Sequence, residues 1–593
     1  MKLFSPLHSF HTIWRAYRAY TPQIVIFAAL GLVSGILEGI GINAVIPLLS
    51  FVVQGGVQAM DPISEAIRWI FQIVGIDFAP KFLLGFIVLL FMGRAAMMFL
   101  ITYIQIRIST GYERDTRSNL FSKMLRSSWA HLLKEKLGYL ETVIMVDVPA
   151  STNLLRKLIS LLTLGTGFLI YLTVAFNISS VVTLITFGLG ISIFLLSRPL
   201  LAQVRKLGGE RVATNRETNH HVGEHIGGVK AVKAADVTEA VIRRGQEFFA
   251  DLRAISVKIS ILQQIIVLLI PPFGILYIAL IFGISFKTEF ISLAALPAIF
   301  YLIYRIFLYG QQIQDTLQGI SELMPHLESV LAYEESAGVT AESTEGTQSF
   351  SFDKELKFDH VCFSYGDGPE VLSDVSFSIP KGSMVGLIGP SGSGKTTCVD
   401  LILRLFTPSS GMVTADGVNA GDISLSSWRA GIGYVSQDFF LLHDTVRNNI
   451  RFYDEKITDQ EIWEALESAH IADFIKKNPL GLDAVIGEKG VKFSAGQRQR
   501  LVIARALARK PKLLILDEAT SALDNESEEY IKEVIRNLKG HMTIVVIAHR
   551  LSTIMDSDTL VALENGRVVE KGKPDELLQD KNSYFYKVHS ILQ

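Results

Sequence analysis

Residues 389–396 read Gly-Pro-Ser-Gly-Ser-Gly-Lys-Thr, preceded by the apolar run Met384–Ile388 and followed by a helical pattern over Lys395–Phe406. Glycines spaced in this way let the backbone curl until consecutive N–H groups and the positive end of the next helix dipole converge on one polyphosphate. The C-terminal half is thereby constrained to a domain in which a buried strand, a phosphate-cradling loop and a helix follow one another. Gly389, Ser391, Gly392, Ser393, Gly394, Lys395, Thr396 and Thr397 are the candidate ATP ligands. Lys395 is expected to reach the β and γ phosphates, and the Thr396 hydroxyl to bind Mg²⁺.

The N-terminal half has a different character. Hydrophobic residues make up 49% of the 593-residue chain and are concentrated before residue 315. Six stretches, 23–53, 82–107, 158–177, 179–200, 258–286 and 291–314, each offer the roughly 20 apolar residues needed to cross a bilayer core. The first is longer than a signal-peptide core and is expected to be retained. Connections 108–157 and 201–257 are long and polar and carry Arg114, Arg117, Lys123, Arg126, Arg205, Lys206, Arg243 and Arg244. The positive-inside tendency puts them, both termini and the soluble half in the cytoplasm. Their helical spacing predicts extensions of the spans, turned by short transverse helices at Ser127–Lys134 and Lys230–Val237 that serve as docking surfaces. Residues 337–349, small and polar, read as a linker between a membrane domain over 1–336 and a nucleotide-binding domain over 350–593.

A net charge of −2 argues against a nucleic-acid partner. Only Cys362 and Cys398 are present, so no disulfide framework is implied and a reducing compartment suits the chain. Within the spans, Gly31, Gly35 and Gly39 form one small-residue face suited to close helix packing. Glu38 and Arg94 are charges at membrane depth, which are expensive and face a partner or a polar cavity. They are candidates for each other's partner and for a substrate path.

Further along, Leu513–Leu516 reads as a buried strand delivering Asp517 and Glu518 at its C-terminal end. Asp517 is suited to hold Mg²⁺ and Glu518 to polarise an attacking water. Gln437 offers an amide for Mg²⁺ or water, His549 follows the apolar strand Thr543–Ala548, and Tyr365 is either an adenine platform or a half-buried strand residue.

Taken in order, these elements resemble those of the ATP-binding cassette (ABC) transporter superfamily, specifically exporter-type half-transporters. The resemblance covers essentially the whole chain. It implies a fold of six transmembrane helices with long cytoplasmic extensions plus an α/β P-loop NTPase domain. By residue it implies that Tyr365 stacks on adenine, Gln437 is the Q-loop amide, Ser494, Ala495, Gly496 and Gln497 are the signature, Ser521 and Asp524 belong to the D-loop, and His549 is the switch histidine. Residues Ile486–Gly490 resemble an exporter segment that contacts the membrane-domain loops. The signature departs from the family's Leu-Ser-Gly-Gly-Gln at Phe493 and Ala495, and the extra methyl is expected to slow turnover if that backbone needs positive φ. One cassette per chain implies a homodimer, since ATP closes between the phosphate loop of one cassette and the signature of another. The implied activity is ATP-driven export by alternating access. An ATP-gated channel or regulatory membrane ATPase shares the cassette and is the alternative of another class. For substrate, Leu37–Pro47 resembles a segment of bacterial lipid-linked oligosaccharide flippases. This points to an amphipathic, lipid-linked saccharide in the inner membrane, with peptide, drug and lipid A-type export as alternatives.

Overall fold

The structure, a computed structural model, describes residues 6–592 except 46, 49–50, 52–61, 135–136, 289–295, 340, 343–344, 367, 519–524 and 548–553. The chain divides into two compact units, Met1–Ser127 with His131–Ala341, and Glu342–Gln593 with Ser128–Ala130.

The first unit is helical. Its principal helices are α1 (Pro6–Tyr17), α2 (Thr21–Asn43), α3 (Pro62–Val74), α4 (Pro80–Arg126), α5 (Val148–Ile178), α6 (Ser180–Gly227), α7 (Thr238–Thr288) and α8 (Leu296–Val339). Over the described residues, five of the apolar stretches fall on α4 to α8, and the first falls on α2 as far as Asn43. Among the described residues, Phe10–Asn43, Pro80–Arg126 and Tyr139–Asn177 are long and apolar enough to span a bilayer, with shorter apolar helical runs at Ser180–Ser192 and Pro272–Gly283. Helices α4, α6, α7 and α8 continue well past the apolar stretches, as their spacing predicts. Short helices at Trp129–Lys134 and Val229–Ala234 occupy the two expected turns.

One boundary differs from the sequence reading. Helix α8 runs to Val339, so the first residues read as linker, Ala337–Val339, are helical. Between the first two apolar stretches lies α3, whose Ile67 and Phe71 are buried while Trp69 and Ile73 are exposed.

The small-residue face of α2 lies on α5. A Cβ at Gly31 would sit 2.8 Å from Thr166 Oγ1, and one at Gly35 2.4 Å from Ile170 Cδ1, so a larger side chain would push the helices apart. Beyond the apolar stretches, the π turn Val143–Asp147 leads into α5 and turns Asp147 into the helix bundle, where it is buried. His326 Nδ1 lies 2.7 Å from its Oδ1, and Ser329 Oγ donates to its Oδ2 at 2.5 Å. Arg216 of α6 reaches both Asp147 Oδ2, at 3.4 Å, and Ser329 Oγ. One carboxylate thus ties α5, α6 and α8.

In the second unit, a four-stranded antiparallel sheet has the order β2-β1-β4-β5, with β1 Glu355–Ser364, β2 Glu370–Pro380, β4 Ser410–Ala415 and β5 Val418–Asn419. A six-stranded sheet has the order β10-β9-β3-β8-β7-β6, with β3 Met384–Ile388, β6 Ile432–Val435, β7 Leu513–Asp517, β8 Thr543–Ile547, β9 Thr559–Glu564 and β10 Arg567–Gly572. All but the antiparallel β10 run parallel. Every residue of β3, β7 and β8 is buried, as expected for parallel strands covered on both faces. Alternate side chains feed two cores: Leu514 and Leu516 join one, and Leu513 and Ile515 the other. Ligands of such sheets bind beyond the carboxyl ends of the strands, where β3 and β7 deliver Gly389 and Asp517.

Candidate nucleotide site and membrane charge cluster

The phosphate loop has the conformation its glycines permit. Gly389, Gly392 and Gly394 have φ of 151°, 79° and 101°, and Gly394 caps helix α9, Lys395–Ile402. A Cβ on Gly389 would lie 2.1 Å from the Leu563 carbonyl oxygen, and one on Gly394 2.4 Å from Leu372 Cδ2, so neither position admits a side chain. Lys395 Nζ donates to the carbonyls of Gly389 at 2.9 Å and Pro390 at 3.0 Å, lying along the loop. Burial lowers its pKa, against the pull of Glu518 and Asp517. Ser393 Oγ is buried with no hydrogen-bond partner among the described residues. An orphaned hydroxyl inside a curled glycine loop fits a phosphate oxygen.

Tyr365 follows β1 and is half-exposed, its ring edge-to-face with Phe363 at 4.9 Å and Phe406 at 5.1 Å. Its hydroxyl lies 3.0 Å from Thr397 Oγ1, which joins the expected adenine platform to the phosphate loop. Thr396 is exposed at the mouth of the loop. Gln437 Nε2 donates to Glu518 Oε2 at 2.8 Å, so the expected amide and the second carboxylate meet. Glu518 has a left-handed φ of 49°, and its N–H donates to the Ile547 carbonyl at 2.9 Å. Asp517, at the end of β7, is buried. The oxygens of Thr396, Gln437 and Asp517 are hard donors of the kind Mg²⁺ takes beside substrate phosphates, and the residues present therefore fit that ion.

Two groups here carry no flag in the sequence. Tyr434 of β6 donates to Asp517 Oδ2 at 3.4 Å. Asp400 of α9 has its pKa raised to about 6, by burial first and then by Asp517. Tyr434 stands three residues before Gln437 and Asp400 in the helix after the phosphate loop, and the sheet order brings both to this end of β7.

Ser494 and Gln497 form a capping box: Ser494 Oγ accepts from the Gln497 N–H at 3.3 Å and Gln497 Oε1 from the Ser494 N–H at 3.0 Å. The helix so capped, α10 (Ala495–Leu507), starts at Ala495, whose φ is not positive, so the condition under which the extra methyl would hinder the backbone does not arise. Phe493 packs edge-to-face on Phe474 at 5.3 Å. Among the described residues, no hydrogen bond or ion pair joins Ser494–Gln497 to the phosphate loop. Ser521, Asp524 and His549 lie outside the described residues.

In the helical unit, Glu38 is buried and paired with Arg94 at 2.8 Å. It is also paired with Arg305 of α8. Tyr309 donates to Glu38 Oε2 at 3.1 Å, and Arg305 Nε donates to the Tyr171 hydroxyl at 3.0 Å. Arg305 meets the same criterion as Arg94, a charge inside an apolar stretch, and is the partner the sequence reading leaves out. Two guanidiniums against one carboxylate leave the cluster with a net positive charge, and Arg94 Nε is buried without a hydrogen-bond partner among the described residues.

Residues 32–289 match the ABC transporter transmembrane region and residues 372–521 the ABC transporter family. The chain is 30% identical over 563 residues to a protein of Acinetobacter baylyi named ATP-dependent lipid A-core flippase, covering 93% of this chain and 94% of that one. It belongs to the ABC transporter family. A flippase of the same name from Desulfotalea psychrophila is 31% identical over 509 residues, covering 84% and 88% of the two chains. The solved structure of a bacterial Atm1-family ABC exporter with ATP bound shares the fold, with a TM-score of 0.79, 23% identity and coverage of 97% and 98%. As an ABC transporter the chain is an integral membrane protein that binds ATP and couples its hydrolysis to transport.

Proposed function

We propose that this ABC transporter is a flippase that moves an anionic, lipid-linked oligosaccharide or related amphipathic glycolipid out of the cytoplasmic leaflet of a bacterial inner membrane. It works as a homodimer by alternating access, with both termini and the nucleotide-binding domain in the cytoplasm. The observation that carries this reading is the Glu38–Arg94–Arg305 cluster, a net cation inside apolar helices. A lipid tail can stay in the bilayer while its charged head crosses, so such a transporter needs a cationic inner surface, and arginine forks suit a pyrophosphate. The relatives named lipid A-core flippases support a lipid substrate.

In the nucleotide site, the phosphate loop and Lys395 hold the polyphosphate, Tyr365 supports the base, and Glu518 orients and polarises the attacking water, with Gln437 fixing the Glu518 carboxylate. Thr396, Gln437 and Asp517 would hold Mg²⁺, which would neutralise charge on the phosphates. Ser494–Gln497 act on the nucleotide of a second chain, Ser521 and Asp524 line that junction, and His549 contacts the γ-phosphate end. Closing the cassettes on ATP and releasing them after hydrolysis shifts the spans between two populations.

In proteoliposomes, Arg94→Ala is expected to cut flipping of a pyrophosphate-linked saccharide lipid at least about tenfold, the loss of one charge-assisted bidentate contact, while basal ATPase persists. Normal flipping by both Arg94→Ala and Glu38→Gln would overturn the substrate assignment. So would a wild-type protein that moves only soluble peptides or drugs, or one that passes ions down a gradient.

A further inference from the structure

We propose that Tyr434 is a positioning residue for the metal-binding carboxylate, holding Asp517 in the orientation that the Mg²⁺ site requires. The inference rests on the assignment of Asp517 above.

Strands β6 and β7 run parallel with Tyr434 opposite Ile515 and Val435 opposite Leu516. Side chains alternate across a strand, so Tyr434 shares a face with Ile515 and, diagonally, with Asp517. Ile515 belongs to the same core as Cys398, Val399 and Ile402 of α9, so this is the face that carries the phosphate-loop helix. Within β6 only Tyr434 is exposed, and its phenol reaches one strand across and two residues along to Asp517 Oδ2.

Three residues later the same segment sends Gln437 Nε2 to Glu518 Oε2. The end of β6 therefore presents two donors, three residues apart, to two consecutive carboxylates of the neighbouring strand. An ionised aspartate is acceptor-only, and its carboxylate turns about a broad, roughly two-fold torsion. A donor fixed by a strand, rather than by a loop, settles which oxygen faces which way before nucleotide arrives. At 3.4 Å the contact is long for an O–H···O bond, and such bonds tighten when the reacting complex forms.

The test is Tyr434→Phe, which keeps the ring and removes the hydroxyl. At saturating ATP, the Mg²⁺ concentration giving half-maximal ATPase is expected to rise about tenfold, as for loss of one hydrogen bond to a charged group. Binding of a fluorescent ATP analogue in EDTA should be unchanged, and the EPR spectrum of Mn²⁺ bound with a non-hydrolysable ATP analogue should differ from wild type. An unchanged Mg²⁺ dependence together with an unchanged Mn²⁺ spectrum overturns the proposal. Equal weakening of analogue binding in EDTA also overturns it, because that is a packing effect. Asp517→Asn separates the two levels. If it shifts the Mg²⁺ dependence and Tyr434→Phe does not, only the role of Tyr434 fails; if Asp517→Asn shifts nothing, the metal assignment itself fails.

Discussion

Glu518 holds a backbone conformation that a glutamate rarely adopts, at a cost of about 1 kcal/mol or more, and its carboxylate is bonded to Gln437. A strained residue whose carboxylate is tethered is suited to aim at a water. Glu518→Gln keeps size and hydrogen bonding but removes the charge, so ATP binding is expected to persist while steady-state hydrolysis falls at least about a hundredfold, measured by phosphate release. Asp400 supplies a pH-dependent check. Its folded pKa of about 6 stands above the ordinary 3.8, because burial disfavours the charged form. The folded state therefore binds the proton more tightly, and the stability this provides is present below pH 4 and is lost as pH rises through 6. Asp400→Asn, which stays neutral, is expected to gain in Tm over wild type at pH 8 and to show a smaller gain at pH 5. The phosphate loop, Gln437 and the paired carboxylates are legible in the sequence because each depends on residues a few positions apart. Tyr434 and Asp400 are not, since each meets Asp517 only through the sheet order. Arg305 was legible by the rule that singles out Arg94, a charge in an apolar stretch.

Helices α5, α6 and α8 owe part of their registration to Asp147, whose neighbours His326, Ser329 and Arg216 come from two other helices. Removing a buried acceptor strands the cations and hydroxyls that faced it, at a cost of about 3 kcal/mol when one is charged. Asp147→Ala is expected to lower the thermal unfolding temperature of the detergent-solubilised protein by several degrees, and Asp147→Asn by less. Trypsin cleavage at Arg205, Arg211 and Arg216 of α6 should quicken in the same order. The long helices are readable from apolar runs followed by unbroken helical spacing. The π turn that aims Asp147 is not, because a one-residue widening of a helix leaves no mark in hydrophobic periodicity. Helix α3 is likewise lost in a segment too short and too polar to read as a span.

For the whole molecule, the proposed homodimer makes a prediction that one chain cannot satisfy. Lys395→Ala removes the phosphate-loop cation and Ser494→Arg the capping hydroxyl of the signature, so each variant alone is expected to be inactive. Co-expressed and co-purified, they are expected to recover part of the wild-type ATPase, since a mixed dimer has one site carrying both lesions and one carrying neither. Mixing without recovery would count against a site shared between two chains.

Helix α4 runs for 47 residues and contains no proline after its first position. At 1.5 Å per residue it is a rod of about 70 Å, of which a bilayer core covers only about 30 Å. A rod of that length turns angle into stroke: a tilt of about 5° around its midpoint carries each end through about 3 Å, roughly the reach of one hydrogen bond. Modest rotations within the bilayer are thereby amplified at the far end into displacements large enough to make or break polar contacts. Stiffness, rather than sequence at any one point along it, is what this helix contributes.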